Sequence, residues 1–147
     1  MTDFSKFDTL FNTEELKTEM ENLPDFEELG DGKYIVKLEN AELKESSNGN
    51  PMVTTTFEVS EGENKGRKIF YNQVITKAFQ IKLLNKFLQS MVDDDDVEKQ
   101  IVFDSYSQYA EMLTNLVNII NMNKYTYELQ IKTNNKGYKN YTIFDIF

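Results

Sequence analysis

From Lys33 onward apolar and polar side chains alternate with period two, and partway along the run the phase slips. Tyr34, Val36 and Leu38 alternate with Lys33, Lys37 and Glu39; Ala41 and Leu43 then continue on the other parity. Alternation marks a strand with one buried face. A slip of one residue inside a long strand is what a β-bulge produces, and a bulged strand bends its sheet. This feature restricts the chain to a curled, largely antiparallel sheet around one core, and 147 residues suit a single domain.

The remaining elements follow from periodicity. Ser46-Ser47-Asn48-Gly49-Asn50-Pro51 is a turn. Val53, Thr55, Phe57 and Val59 form a second strand, Gly62 and Gly66 bracket a charged turn, and Arg67 to Thr76 is a third. Phe79, Leu83 and Phe87, with Leu84, Leu88 and Met91, make a helical stripe, and Tyr106, Tyr109, Leu113, Leu116, Val117 and Ile120 make another. Tyr125, Tyr127, Leu129 and Ile131 alternate into a final hairpin that turns at Thr133–Gly137. The predicted strands are 33–45, 52–60, 67–76, 124–132 and 138–146, with helices at 78–91 and 105–121. The predicted core includes Val36, Leu38, Phe57, Ile69, Leu84, Leu88, Leu116, Leu129 and Ile143. The order β-β-β-α-β-β is that of an OB-fold-like five-stranded antiparallel barrel with a helical insertion between strands 3 and 4, in the α+β class. Residues 32–147 form this domain.

Residues 1–31 read as an acidic N-terminal arm. Asn12 and Glu15 have capping-box spacing before a short helix over Thr13–Asn22, which Pro24 ends. Residues 1–11 and the quartet Asp93–Asp96 show no apolar periodicity and are expected to be mobile, the quartet as a solvated linker rather than a calcium loop. The Phe144-Asp145-Ile146-Phe147 end alternates as a strand and carries one acid, so it is not read as an acidic recruitment tail.

Composition narrows function. The chain has no Cys and no His, which removes disulfides, thiolate zinc sites and every His- or Cys-dependent catalytic dyad. No P-loop or complete GxGxxG is present. The expectation is a non-enzyme without cofactor or metal. No signal peptide or 18-residue apolar span is visible in the sequence, so a cytoplasmic location is expected. The net charge of −9 argues against nucleic acid until its distribution is considered: residues 1–31 carry −8 and residues 93–104 carry −5, whereas residues 32–92 carry +3 and residues 124–147 carry +2.

Binders of single-stranded nucleic acid combine cationic grooves with aromatic platforms, because every base has a π-face. Two places supply both. Lys65, Arg67 and Lys68 precede Phe70 and Tyr71, and Lys132 and Lys136 precede Tyr138, Lys139 and Tyr141. A Lys beside a Gly in a turn is ordinarily only solubilising, and a strand Tyr is ordinarily half core. The final hairpin is the loop between the last two strands, one of the two that close over nucleic acid in an OB-fold, and with the first cluster it makes Lys65, Arg67, Lys68, Tyr71, Lys132, Lys136, Tyr138, Lys139 and Tyr141 the candidate nucleic-acid-binding set. Tyr71 shares the parity of core-like Ile69 and is the weakest member.

Gly32-Lys33-Tyr34-Ile35-Val36-Lys37, Gly49-Asn50-Pro51-Met52-Val53, Gly62 through Phe70 and Asn72-Gln73-Val74-Ile75-Thr76 follow one another in order. This run, over about residues 30–91, resembles a family of small phage and prophage proteins of Gram-positive hosts, usually labelled only as of unknown function. The resemblance implies a single-strand-binding OB-fold protein acting near phage replication and recombination proteins in the bacterial cell. Its expected partner is single-stranded DNA, and self-association is left open. The alternative is a phage protein–protein interaction module whose acidic arm docks a basic surface or mimics nucleic-acid charge.

Overall fold

The computed structural model describes residues 4–22 and 29–147. Two helices lie in the arm, α1 (Ser5–Leu10) and α2 (Thr13–Asn22). The body consists of β1 (Gly32–Glu45), β2 (Pro51–Val59), β3 (Lys68–Val74), α3 (Ala78–Gln89), α4 (Asp95–Glu98), α5 (Tyr106–Asn123), β4 (Thr126–Thr133) and β5 (Lys139–Ile146). All five strands join one antiparallel sheet in the order β3-β2-β1-β4-β5.

The phase slip in β1 is a bulge. The register against β2 runs Leu38 opposite Phe57, then Asn40 opposite Thr56, leaving Glu39 as the extra residue. Burial follows it: Val36 and Leu38 point inward before the bulge and Ala41 after it. One residue re-aims half the strand, so a 14-residue strand keeps its apolar side chains on the concave face. A second irregularity, between Glu128 and Leu129, bends the β4–β5 pair.

The sheet is open along one side. No ladder joins β3 to β5 among the described residues, and the expected closed barrel is corrected to a five-stranded antiparallel sheet with helices. Side chains cross the gap instead. Tyr141 Oη donates to the carbonyl of Phe70 at 3.2 Å, and the rings of Tyr71 and Tyr141 stack at 4.8 Å. Neighbouring paired strands lie about 4.8 Å apart, and here tyrosine contacts occupy the seam where a ladder would run.

The core fills the concavity between the sheet and helices α3 and α5. From α5 it takes Tyr109, Leu113, Leu116, Val117 and Ile120, as the spacing predicts, and also Met112, which lies outside the predicted stripe; Tyr106, its first member, is exposed and donates its hydroxyl to the Ile75 carbonyl at 2.8 Å. Of the nine predicted core residues eight are buried, while Ile143 on the edge strand β5 is half-buried against the core. Deep tyrosines satisfy their hydroxyls: Tyr109 donates to Asn85 Oδ1 at 2.6 Å and Tyr127 to the Met91 carbonyl at 2.8 Å. Burial first, then neighbouring groups (Tyr71 beside Tyr109; Tyr125 and Asp93 beside Tyr127), lifts both phenols above the ordinary tyrosine range.

Three expectations need correction. Residues 5–10 are helical, since Phe4, Phe7 and Phe11 have helical spacing too brief to register as a period. The aspartate quartet is not merely a linker. Asp94 Oδ1 accepts from the amides of Asp96 and Val97 to cap α4, and Asp93 accepts from Tyr125 Oη at 3.0 Å. On the predicted α3 stripe Leu84, Phe87, Leu88 and Met91 are buried, whereas Phe79 and Leu83 are exposed. Helix α2 has the expected range, and Asn12 Oδ1 accepts from Glu15 N at 3.1 Å. Pro24 lies outside the described residues. The C-terminal end is tied down, with Phe147 and Thr126 exchanging backbone hydrogen bonds at 2.8 and 3.3 Å.

Candidate nucleic-acid interface

Register brings the two cationic clusters to one end of the sheet. The β2–β3 turn is tied to the start of β1, where Ser60 N donates to the Ile35 carbonyl at 2.8 Å. The β4–β5 hairpin begins beside the same place, because Gly32 sits opposite Ile131. Both turns are internally built. Gly66 takes φ +91° and donates to the Val59 carbonyl, while Arg67 Nη1 reaches Asn64 Oδ1 at 3.3 Å. At the hairpin tip Asn134 Oδ1 accepts from the amides of Lys136 and Tyr138, and Gly137 takes φ +83°.

Residues 29–31 brace the hairpin. The Asp31 carboxylate accepts from Thr133 Oγ1 at 2.6 Å and from Thr133 N at 3.1 Å. Lys139 Nζ donates to the Leu29 carbonyl at 3.3 Å. The Thr133 side-chain hydrogen bond first, then its backbone amide and the nearby Lys139 and Lys132, hold the Asp31 carboxyl below its ordinary value.

The nine candidate residues divide by environment. Lys65, Lys132, Lys136 and Tyr138 stand in solvent, the tyrosine 68% exposed, and the three lysines have no ion pair among the described residues. Arg67 is half-buried in its turn. Lys68 is paired with Glu39 and with Glu58, and Lys139 is drawn inward to Leu29. Tyr71 and Tyr141 stack on each other, and Tyr71 also meets Phe87 edge-on at 4.8 Å. Burial first, then Tyr141, raises the Tyr71 phenol. These two rings close the seam rather than present a free face.

Phe70, which is not among the nine candidates, is the aromatic beside the seam that does face solvent, at 54% exposure. The signal was present: if Tyr71 shares the inward parity of Ile69, Phe70 must point outward. Elsewhere on the outer face lysines are matched by glutamates, Lys33 with Glu128 at 3.5 Å and Lys37 with Glu58 at 3.4 Å. Lys33 also lies 4.6 Å from the centre of the exposed Phe144 ring. Among the strands and their turns, Lys65, Lys132 and Lys136, which have no ion pair among the described residues, therefore stand at the turn end, where Glu61 and Glu63 are exposed beside them; α3 carries further such lysines, Lys82 and Lys86. Among the described residues no group of three carboxylates gathers as a metal site, and no helix is long and apolar enough to cross a membrane.

A family model described as a protein of unknown function, DUF669, matches residues 16–142. The chain belongs to that family. No curated protein matches it. The DUF669 match runs from within α2 to within β5, so it includes both α5 and most of α2, which the resemblance over residues 30–91 did not reach.

Proposed function

We propose that this chain binds single-stranded DNA without sequence preference, in phage replication or recombination, through the turn end of an OB-fold-like barrel left open between β3 and β5. One observation carries the reading: two turns far apart in sequence, one bearing Lys65 and Arg67 beside Glu61 and Glu63 and the other flanked by Lys132 and Lys136, meet with the exposed rings of Phe70 and Tyr138 at one end of a curled sheet whose outer strands face each other. A partly open five-stranded barrel with helices between strands three and four is the OB pattern, and its binding surface includes the loop between strands four and five. Lys65, Lys132 and Lys136 would neutralise phosphates, with Arg67 shaping the turn beneath them. Phe70 and Tyr138 would stack on bases. Lys68, Lys139, Tyr71 and Tyr141 are assigned to holding the platform in shape. Binding of this kind needs no cofactor and no catalytic residue.

Salt dependence is the test. Binding of a fluorescent dT oligomer, followed by anisotropy, should weaken steeply as salt rises, with a log–log slope of roughly −2 for three phosphate contacts on a single strand. No binding at low salt would remove the proposal and favour the protein-docking alternative, which the exposed apolar side chains of the acidic arm support independently.

A further inference from the structure

The arm exposes a band of large apolar side chains that no described residue buries. Phe4, Phe7 and Phe11 recur at three and four residues, with the first two rings 6.4 Å apart, and Leu16 and Met20 lie one turn apart on α2. Helices this short do not hold themselves in water. They gain stability from a surface that covers the apolar face. Around that face stand Asp8, Glu14, Glu15, Glu19 and Glu21 against Lys6 and Lys17, a net charge of −3. The surface that fits is apolar with a cationic rim.

The body carries such a surface. A groove of about 340 Å³ runs between α3 and the β3–β5 seam, with Tyr71, Leu83, Phe87 and Ile143 on its walls and Lys86 and Lys139 among its lining residues. Phe79, 59% exposed, precedes the 54% exposed Leu83 by one turn and extends the apolar strip along α3. Helix α3 contains Lys82 and Lys86 and no acid, and Lys77 precedes it. Arm and groove are thus inverse in charge and alike in apolar character, and within one chain both stand open together.

We propose that the arm of one copy packs its Phe4–Phe7–Phe11 face into the α3 groove of a second copy. Arm and groove are different surfaces, so the contact is heterologous, and repetition gives a head-to-tail chain of copies or a ring. Leu83, Lys86 and the arm aromatics lie outside the set assigned to DNA, so this contact stands or falls separately from DNA binding.

Two full-length variants test it: Phe7→Ser/Phe11→Ser, which alters only exposed arm positions, and Leu83→Glu/Lys86→Glu, which reverses the groove at exposed positions. Circular dichroism confirms that both fold. In sedimentation velocity the unaltered chain should grow in weight with concentration, and each variant alone should associate at least about tenfold more weakly, the effect of losing one buried apolar anchor. An equimolar mixture of the two variants should recover a 1:1 complex and go no further, since it contains one intact arm and one intact groove. A monomeric unaltered chain at all concentrations, a variant that associates undiminished, or a mixture that stays apart overturns the proposal, and that set includes an arm folding onto its own groove.

Discussion

At the residue scale, adjacent side chains of one strand do opposite work. Phe70 and Tyr71 are chemically similar, but β3 points one outward and packs the other between Phe87 and Tyr141. Phe70→Ala is expected to cost about 1–3 kcal/mol of oligonucleotide binding with little change in stability. Tyr71→Ala is expected to cost about 2 kcal/mol or more of stability through the cavity left at the seam. Thr55 supplies another contrast, because its Oγ1 is buried on β2 without a hydrogen-bond partner among the described residues. Replacing it by the isosteric Val removes a stranded hydroxyl, so Thr55→Val should raise denaturation stability by about 1 kcal/mol. Asp31 acts through its charge. Its folded pKa lies below the ordinary 3.8, so its hold on Thr133 is complete above that value and is lost as pH falls through the lower, folded value. An NMR titration should place the Asp31 midpoint below 3.8. In Asp31→Ala the Thr133 amide should exchange quickly at every pH, and unchanged protection there would show that the hairpin does not depend on this brace.

At the element scale, the sequence was legible wherever a period ran long enough. The β1 alternation with its slip located both strand and bulge, and the observed 32–45 differs from the predicted 33–45 by one residue. Helix α5 likewise shows its buried face in its spacing. The third strand ends at Val74 rather than at the predicted Thr76; Ile75 keeps the inward parity and donates one last hydrogen bond to the Pro51 carbonyl at 3.0 Å before the chain turns into α3. Helices α1 and α4 escaped because six and four residues are too few to establish a period, and α4 depends on a cap from Asp94 inside an apparent charge run. Helix α5 ends on Lys124 at φ +55°, a left-handed position that disfavours a side chain. Lys124→Gly should therefore raise the melting temperature, by about 2 °C for a gain near 0.5–1 kcal/mol. A fall would mean that the lysine side chain makes up for its own strain.

At the scale of the whole molecule, the element order announced a curled sheet but could not say how its ends would meet. Closure depends on the Tyr141 hydroxyl reaching the Phe70 carbonyl across 71 positions of sequence, and no local pattern encodes that distance. The site was legible in the same partial way. Both cationic turns were visible, and their meeting at one end followed from the register. Which lysines remained unpaired did not, because Lys68 is claimed by Glu39 and Glu58 and Lys139 by the Leu29 carbonyl. A chain of net charge −9 can still hold lysines without ion pairs at one edge, because most of its acids lie in the arm and the segment around α4, with Glu61 and Glu63 as the acids that share the β2–β3 turn. By the proposal, this edge holds single-stranded DNA. The most direct test is anisotropy of a labelled dT oligomer at low salt, comparing the unaltered chain with Lys132→Ala/Lys136→Ala/Tyr138→Ala, all exposed positions. The triple variant should stay folded, bind at least about tenfold more weakly, and show a salt slope flatter by roughly one to two contacts. Equal affinity and equal slope in a folded triple variant would contradict the proposal.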